Sequence, residues 1–247
     1  MNHSNIETEV RWKDFYKVAG RAALLIVLVG ILDIVLSMLA GEAKANSAIT
    51  VTEWFALFQT NPITALSNLG LINIITLTLG IPVYLALYHI HRRANPAFAA
   101  LSAILFFIGA AVYISSNTVF SVLALSSQYA VATEAQKSLL EAAGRAALAQ
   151  GADLTPGTFM GLFYSQTAGL IMAIVMLRGK VFSKWTAPLG LFGYGCMIVF
   201  FIIAAFAPEQ FALATLISMF GGLALMAYHI LFARQLFQFD QASSIER

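Results

Sequence analysis

The sequence predicts an all-α polytopic membrane protein with six transmembrane helices and both termini in the cytoplasm. Of its 247 residues, 60% are hydrophobic and 11% are charged, whereas charged residues make up about a quarter of a soluble domain. The apolar residues form six stretches of about 20 residues or more, which is the length a helix needs to cross a bilayer. We therefore expect a chain embedded in lipid, with no nucleic-acid partner.

The spans are predicted at about 18–40, 63–90, 97–128, 157–178, 186–207 and 210–235. Three of them begin where a capping side chain precedes proline, at Asn61-Pro62, Asn95-Pro96 and Thr155-Pro156. Gly179 suits the end of the fourth span, and Pro208 separates the last two. The chain then divides into a cytoplasmic N-terminal arm, a transmembrane domain and a cytoplasmic tail, at residues 1–17, 18–236 and 237–247.

Basic residues predict the orientation. Of the fourteen Lys and Arg residues, all but Lys44, Lys137 and Arg145 lie on the side of the two termini. Cytoplasmic segments are enriched in positive charge, so this side is predicted to be cytoplasmic and to contact anionic lipids. The chain would then be a multi-pass protein of the cytoplasmic membrane. A cleaved signal peptide is the competing interpretation of the first span, but the apolar run is long for one and contains Asp33.

Two segments on the outer face are predicted to be helical, at about 51–59 and 134–150. Each begins with a capping box, formed by Thr50 with Glu53 and by Thr133 with Gln136. The first segment has one apolar stripe and is expected to lie in the membrane interface. The second carries Lys137, Glu141 and Arg145 at four-residue intervals as an ion-paired solvent face. It either covers the outer mouth of the bundle or is a solvated spacer.

Asp33 is the one carboxylate inside the six apolar stretches. An aspartate at mid-span costs about 2.5 to 3.5 kcal/mol, so it normally faces a cavity or a partner. Helix rise places polar groups of other spans in the same outer layer. The candidate ligand-binding residues are Asp33, Asn73, Tyr113, Asn117, Tyr164 and Gln166. No basic residue lies in a span interior, so the carboxyl group is expected to be protonated, hydrated or paired with a cation.

A structural role competes with the functional one. Polar side chains often bridge helices in inert bundles, where each contributes about 0.6 kcal/mol. For a single Asn, Gln or Ser we favour this bridging role, and for Asp33 we favour a ligand site. Pro82 lies mid-span and is either a hinge or a static kink.

The sequence holds no nucleophile, phosphate-loop or metal-protease motif, so no catalytic residue, metal or cofactor is predicted. His89, His91 and His229 fall near the cytoplasmic ends of two spans. Positions i and i+2 of a helix diverge, so these rings are expected to sit at the interface rather than to bind a metal.

The stretch from Val181 to Gly193 resembles the start of the fifth span in an uncharacterised family of bacterial six-helix membrane proteins. Lys184, Trp185, Gly190 and Gly193 match its pattern, whereas Ser183 replaces the usual proline and Leu189 the usual second tryptophan. The opening Ala19-Gly20-Arg21 is also similar. The resemblance implies a bacterial cytoplasmic membrane and no assigned activity.

Three functions agree with these features. The first is a transporter or ligand-binding protein that takes a small solute or cation in an outward-facing pocket around Asp33. The second is a non-catalytic accessory or sensor subunit. The third and weakest is an enzyme that acts on a lipid.

Overall fold

A computed structural model describes residues 3–40, 50–179 and 181–241, with side chains described at 12–36, 50–179 and 181–238. Ten α-helices and one short 3-10 helix, Pro208–Gln210, make up this part of the chain, which contains no strand. The α-helices are α1 His3–Ala40, α2 Val51–Thr60, α3 Pro62–Asn68, α4 Leu71–His91, α5 Pro96–Ser116, α6 Val119–Tyr129, α7 Glu134–Gly151, α8 Pro156–Gly179, α9 Thr186–Phe206 and α10 Phe211–Gln241. Lys44, Lys180 and the tail after 241 lie outside the described residues.

Six helices of the described chain are long and apolar enough to cross a membrane, as predicted. They form a closed ring in the order α1, α4, α5, α8, α9, α10, with α10 packed back against α1. Helix α1 runs unbroken from His3, so residues 3–17 of the predicted N-terminal arm are helical and continuous with the first span. The ring therefore has one end near both termini, which we call the basic end, and an opposite end, which we call the capped end.

The second and third apolar stretches are both broken, which differs from the predicted spans at 63–90 and 97–128. Gly70, with φ of 101°, interrupts the first of them between α3 and α4. Asn117 is extended and interrupts the other between α5 and α6. Apolar composition continues through each break, so hydropathy alone could not reveal it. As a result α3 and α6 separate from the ring.

These two helices pack with α2 and α7 around a second, smaller hydrophobic core. We call these four helices the cap. Its buried residues are Val51, Phe55, Phe58, Ala65, Leu69, Val119 and Val122. Gly144 lets α7 approach α2, since a Cβ there would meet Val51 and Phe55. Both predicted capping boxes are present. Helix α7 thus packs against α2 and α6 as part of the cap.

The solvent face of α7 differs from its prediction. Lys137 pairs with Glu134 at 2.8 Å rather than with Glu141. Glu141 instead accepts a hydrogen bond from the Tyr129 hydroxyl at 2.9 Å and lies 3.9 Å from Arg145. The carboxylate of Glu141 thereby connects α7 to α6.

The closest packing in the ring is between α5 and α8. A Cβ at Gly161 would lie 2.6 Å from the backbone nitrogen of Tyr113, and one at Gly109 would lie 2.7 Å from that of Ser165. The Ser102 hydroxyl donates across the same seam to the carbonyl of Ala168 at 2.7 Å. Small residues at such seams let transmembrane backbones approach, so these glycines set the position of α5.

At the basic end, the three histidines have separate partners. The ring of His89 stacks on Trp12 at 3.6 Å between centroids, and the hydroxyl of Tyr16 lies 2.8 Å from its Nδ1. His91 stacks on Phe182, while His229 bonds to a carbonyl of its own helix. No group of three potential metal ligands occurs among the described residues.

We expect Gly161→Ala to destabilise the protein by about 1–3 kcal/mol, because the added methyl group would force α8 away from α5. Thermal unfolding of the detergent-solubilised protein measures this change. Gly222→Ala is the matched control, since a Cβ there meets nothing within 4 Å. Equal unfolding temperatures for the two variants would contradict the assigned seam.

The start of α2 should depend on pH. Glu53 accepts hydrogen bonds from the Thr50 backbone at 2.6 Å and the Thr50 hydroxyl at 2.8 Å, which hold its pKa below the usual value. Because the carboxylate form makes these bonds, their contribution is complete above the ordinary glutamate pKa and is lost as pH falls through the lowered one. Amide exchange at 51–55, corrected for intrinsic pH dependence, should lose protection over that range. A Glu53→Ala protein should lack the transition.

Candidate functional site

Asp153 is the centre of a polar cluster at the capped end of the ring. Its Oδ1 accepts a hydrogen bond from the Tyr113 hydroxyl at 2.7 Å. The side-chain amide of Asn73 lies 3.0 Å from Oδ2 and 3.2 Å from Oδ1. Three elements supply these groups, namely α4, α5 and the turn between α7 and α8. The carboxylate thus joins α4 and α5 to the connection that links α7 of the cap with α8.

Close backbone approach positions Tyr113. The residue is fully buried, with Gly161 of α8 behind it and Gly70 in front of its hydroxyl. The hydroxyl is also 3.5 Å from the Gly70 carbonyl. A Cβ at Gly70 would collide with this hydroxyl and with the Asn117 amide, and the positive φ there already favours glycine. Gly70 is therefore required both by the turn and by the cluster.

Asn117 connects the two helix breaks. Its Nδ2 donates to the Leu69 carbonyl at 2.8 Å, and its Oδ1 accepts from the Val119 backbone amide at 3.0 Å. The same Nδ2 is 3.4 Å from the Tyr113 hydroxyl. One side chain thereby satisfies a carbonyl left free where α3 ends and an amide left free where α6 begins.

Asp33 contacts the C-terminal end of α3, next to the turn at Gly70. The Ser67 hydroxyl donates to its Oδ1 at 3.4 Å, and Asp33 is half-buried between α1 and α3. Ser67 lies in the last turn of α3, and Leu69 and Gly70 form the turn that follows it. We call this whole arrangement the polar layer; it comprises Asp33, Ser67, Asn73, Tyr113, Asn117 and Asp153. Its Asn and Tyr members are among those predicted. Asn73 and Tyr113 bond to Asp153, whereas Asn117 bonds to the Leu69 carbonyl and the Val119 amide.

Tyr164 and Gln166 of α8 lie apart from these contacts. The ring centroids of Tyr164 and Phe163 are 6.3 Å apart. The Tyr164 hydroxyl forms no hydrogen bond to a described residue. The Gln166 Oε1 is buried without a hydrogen-bond partner in the described part of the chain, as is the neighbouring Thr167 hydroxyl. Of the six predicted residues, three share one cluster, Asp33 adjoins it, and these two do not contact it.

Asp153 is not among the residues predicted from the sequence. It lies two residues after the end of α7 and three before Pro156, in a stretch whose sequence is typical of an exposed connection. The available signal was its position just before a transmembrane helix, where the helix dipole favours an anion. Next to it, Leu154 has φ of 57°, a left-handed conformation that is costly for a branched residue. The backbone around Asp153 is therefore strained.

The polar layer is rich in oxygen acceptors. Two carboxylates and the carbonyls of Leu69 and Gly70 supply oxygen atoms, which are the ligands preferred by hard cations. Asn73, Tyr113 and Asn117 supply neutral donors that orient those oxygens. The described residues of the layer include no Lys or Arg side chain.

Removing the acceptor at the centre should be costly. Asp153→Ala leaves the Tyr113 hydroxyl and the Asn73 amide buried without their acceptor, which costs about 1–3 kcal/mol. Tyr113→Phe should also lower the unfolding temperature, because it removes the hydroxyl that donates to the Asp153 carboxyl group. Tyr164→Phe is the matched control, as its hydroxyl has no hydrogen bond to a described residue. Equal unfolding temperatures for Tyr113→Phe and the control would argue against the cluster.

Comparison with known proteins gives a family without an assigned activity. No curated protein and no solved structure matches the chain. A family model described as a domain of unknown function, DUF4386, matches residues 18–233. The match covers all six membrane-spanning helices and the cap between them. The chain is therefore a multi-pass membrane protein that belongs to the DUF4386 family.

Proposed function

We propose that the protein transports a small solute or a cation and that the polar layer is its binding site. The observation that carries this proposal is the coincidence of two helix breaks with two carboxylates at one depth of the bundle. Broken helices at membrane depth are tolerated where they line a cavity or meet protein partners, and transporters use such breaks to coordinate ions and anionic groups.

The proposal includes an orientation. The capped end would face outward and the basic end the cytoplasm of a bacterial cell, because the basic residues gather at the ends of α4, α8 and α10. Solute would then enter past the cap.

Each of the six residues predicted from the sequence has a role in this proposal. Asp33 takes up a proton or a cation, and the change in its charge alters the contact with Ser67 and so the α3–α4 turn. Asn73, Tyr113 and Asn117 orient the solute. Gln166 and Tyr164 contact it from α8, where the buried Gln166 Oε1 has hydrogen-bonding capacity to spare among the described residues.

Proteoliposomes test this function. Vesicles loaded with a pH-sensitive dye are given a sodium, potassium or proton gradient, with and without a panel of amino acids and sugars outside. Some combination of ion gradient and solute should give transport by the wild-type protein. We expect Asp33→Asn to lower that transport rate at least tenfold, because an amide cannot exchange a proton or balance a cation. Glu209→Gln, a change at an exposed carboxylate in the connection before α10, is the control.

Wild-type rates in both Asp33→Asn and Asp153→Asn would remove the polar layer from the transport mechanism. Absence of any flux above empty vesicles across the panel would count against transport of these solutes.

A second function, an accessory or sensor subunit, is favoured by the tip of the cap. Val131 and Leu139 are 86% and 72% exposed there, and exposed apolar side chains that lie together mark protein interaction sites. A partner subunit would cover them. Crosslinked co-purification should then recover a stoichiometric membrane partner with wild type and lose it with Leu139→Glu.

A further inference from the structure

A groove runs between α1 and α10 near the basic end. It has a volume of about 390 Å³ and is lined by Leu24, Ile230, Arg234, Phe237 and Gln238. It opens on the outside of the ring, because Leu24 and Ile230 are 38% and 46% exposed. It lies far from the polar layer and has no part in the proposed transport.

Small residues of α1 create the groove. Ala19, Ala22 and Ala23 are buried against the neighbouring helices, so the two backbones lie close together. A Cβ at Gly20 would be 2.9 Å from the ring of Phe237, which shows that this ring lies directly on the α1 backbone. The larger side chains of Leu24 and Ile230 then form the walls further along the two helices.

The groove changes chemistry along its length. Its deeper part is apolar, whereas Arg234 and Gln238 lie one and two turns beyond Ile230, about 6 and 12 Å toward the basic end. Arg234 is exposed and forms no ion pair with a carboxylate of the described chain. A guanidinium at the end of an apolar groove suits an amphiphile with an anionic head.

We propose that this groove binds one anionic glycerophospholipid of the surrounding leaflet. The phosphate accepts hydrogen bonds from the Arg234 guanidinium and the Gln238 amide, and one acyl chain lies along Leu24 and Ile230. Charge complementarity selects an anionic head over a zwitterionic one, whose own ammonium group would lie near the arginine. The apolar walls select a lipid over inorganic phosphate, which would leave them without a partner.

Lipid retention measured by native mass spectrometry tests the site. Protein in detergent is incubated with phosphatidylglycerol or with phosphatidylcholine of the same acyl chains, and bound lipid is counted. Wild type should retain phosphatidylglycerol preferentially. Arg234→Gln should weaken its retention about fivefold, the effect of one basic residue at a membrane surface. Arg178→Gln, which removes an exposed arginine at the end of α8, is the matched control and should retain lipid as wild type does.

A second variant keeps the charge and blocks the groove. Ile230→Trp should reduce phosphatidylglycerol retention although Arg234 stays in place. This variant tests the lipid site on its own if Arg234→Gln does not fold. Adding inorganic phosphate should not displace the lipid. Three results would each overturn the proposed site: equal retention of the two lipids by wild type, a loss in Arg178→Gln as large as that in Arg234→Gln, or full retention in Ile230→Trp. A second copy of the chain found in place of the lipid would also overturn it.

Discussion

The structure of the capped end depends on the side chain of Asn117. In hydrocarbon every backbone amide and carbonyl needs a partner inside the protein, and two interrupted helices leave several of these groups free. Asn117 bonds to the Leu69 carbonyl with its nitrogen and to the Val119 amide with its oxygen. A single carboxamide therefore allows α3 and α6 to leave the ring together. No other uncharged side chain except glutamine carries both a donor and a carbonyl acceptor in this geometry.

The ring beneath supplies the rigid frame for that interaction. Close packing of α5 on α8 fixes Tyr113, and Tyr113 in turn holds the carboxylate of Asp153. The Thr118 amide also donates to the Gly151 carbonyl at 3.0 Å, so the end of α7 is attached to the start of α6. A short series of hydrogen bonds thus connects the packed helices α5 and α8 to the cap.

Much of this fold can be predicted from sequence, because the bilayer imposes length and hydropathy on every span. Six apolar stretches, the prolines that begin three of them and both capping boxes are local signals. The breaks at Gly70 and Asn117 are not, since the flanking residues remain apolar through α6 and the reason for each break lies on a distant helix. Asn73, Tyr113 and Asn117 could be selected as polar groups at a common depth. Their acceptor could not, because Asp153 reads as part of a connection until the α7–α8 turn places it against α4 and α5.

The cap is built from segments that are far apart along the chain. Helices α2 and α3 precede two membrane spans, and α6 and α7 follow them, so the cap core cannot close until α7 has been synthesised. The apolar faces of α2 and α6 can therefore pack together only after the two spans between them have been synthesised. Because α4 and α5 lie between these segments in the chain, the contact between α2 and α6 closes a loop that contains both membrane spans.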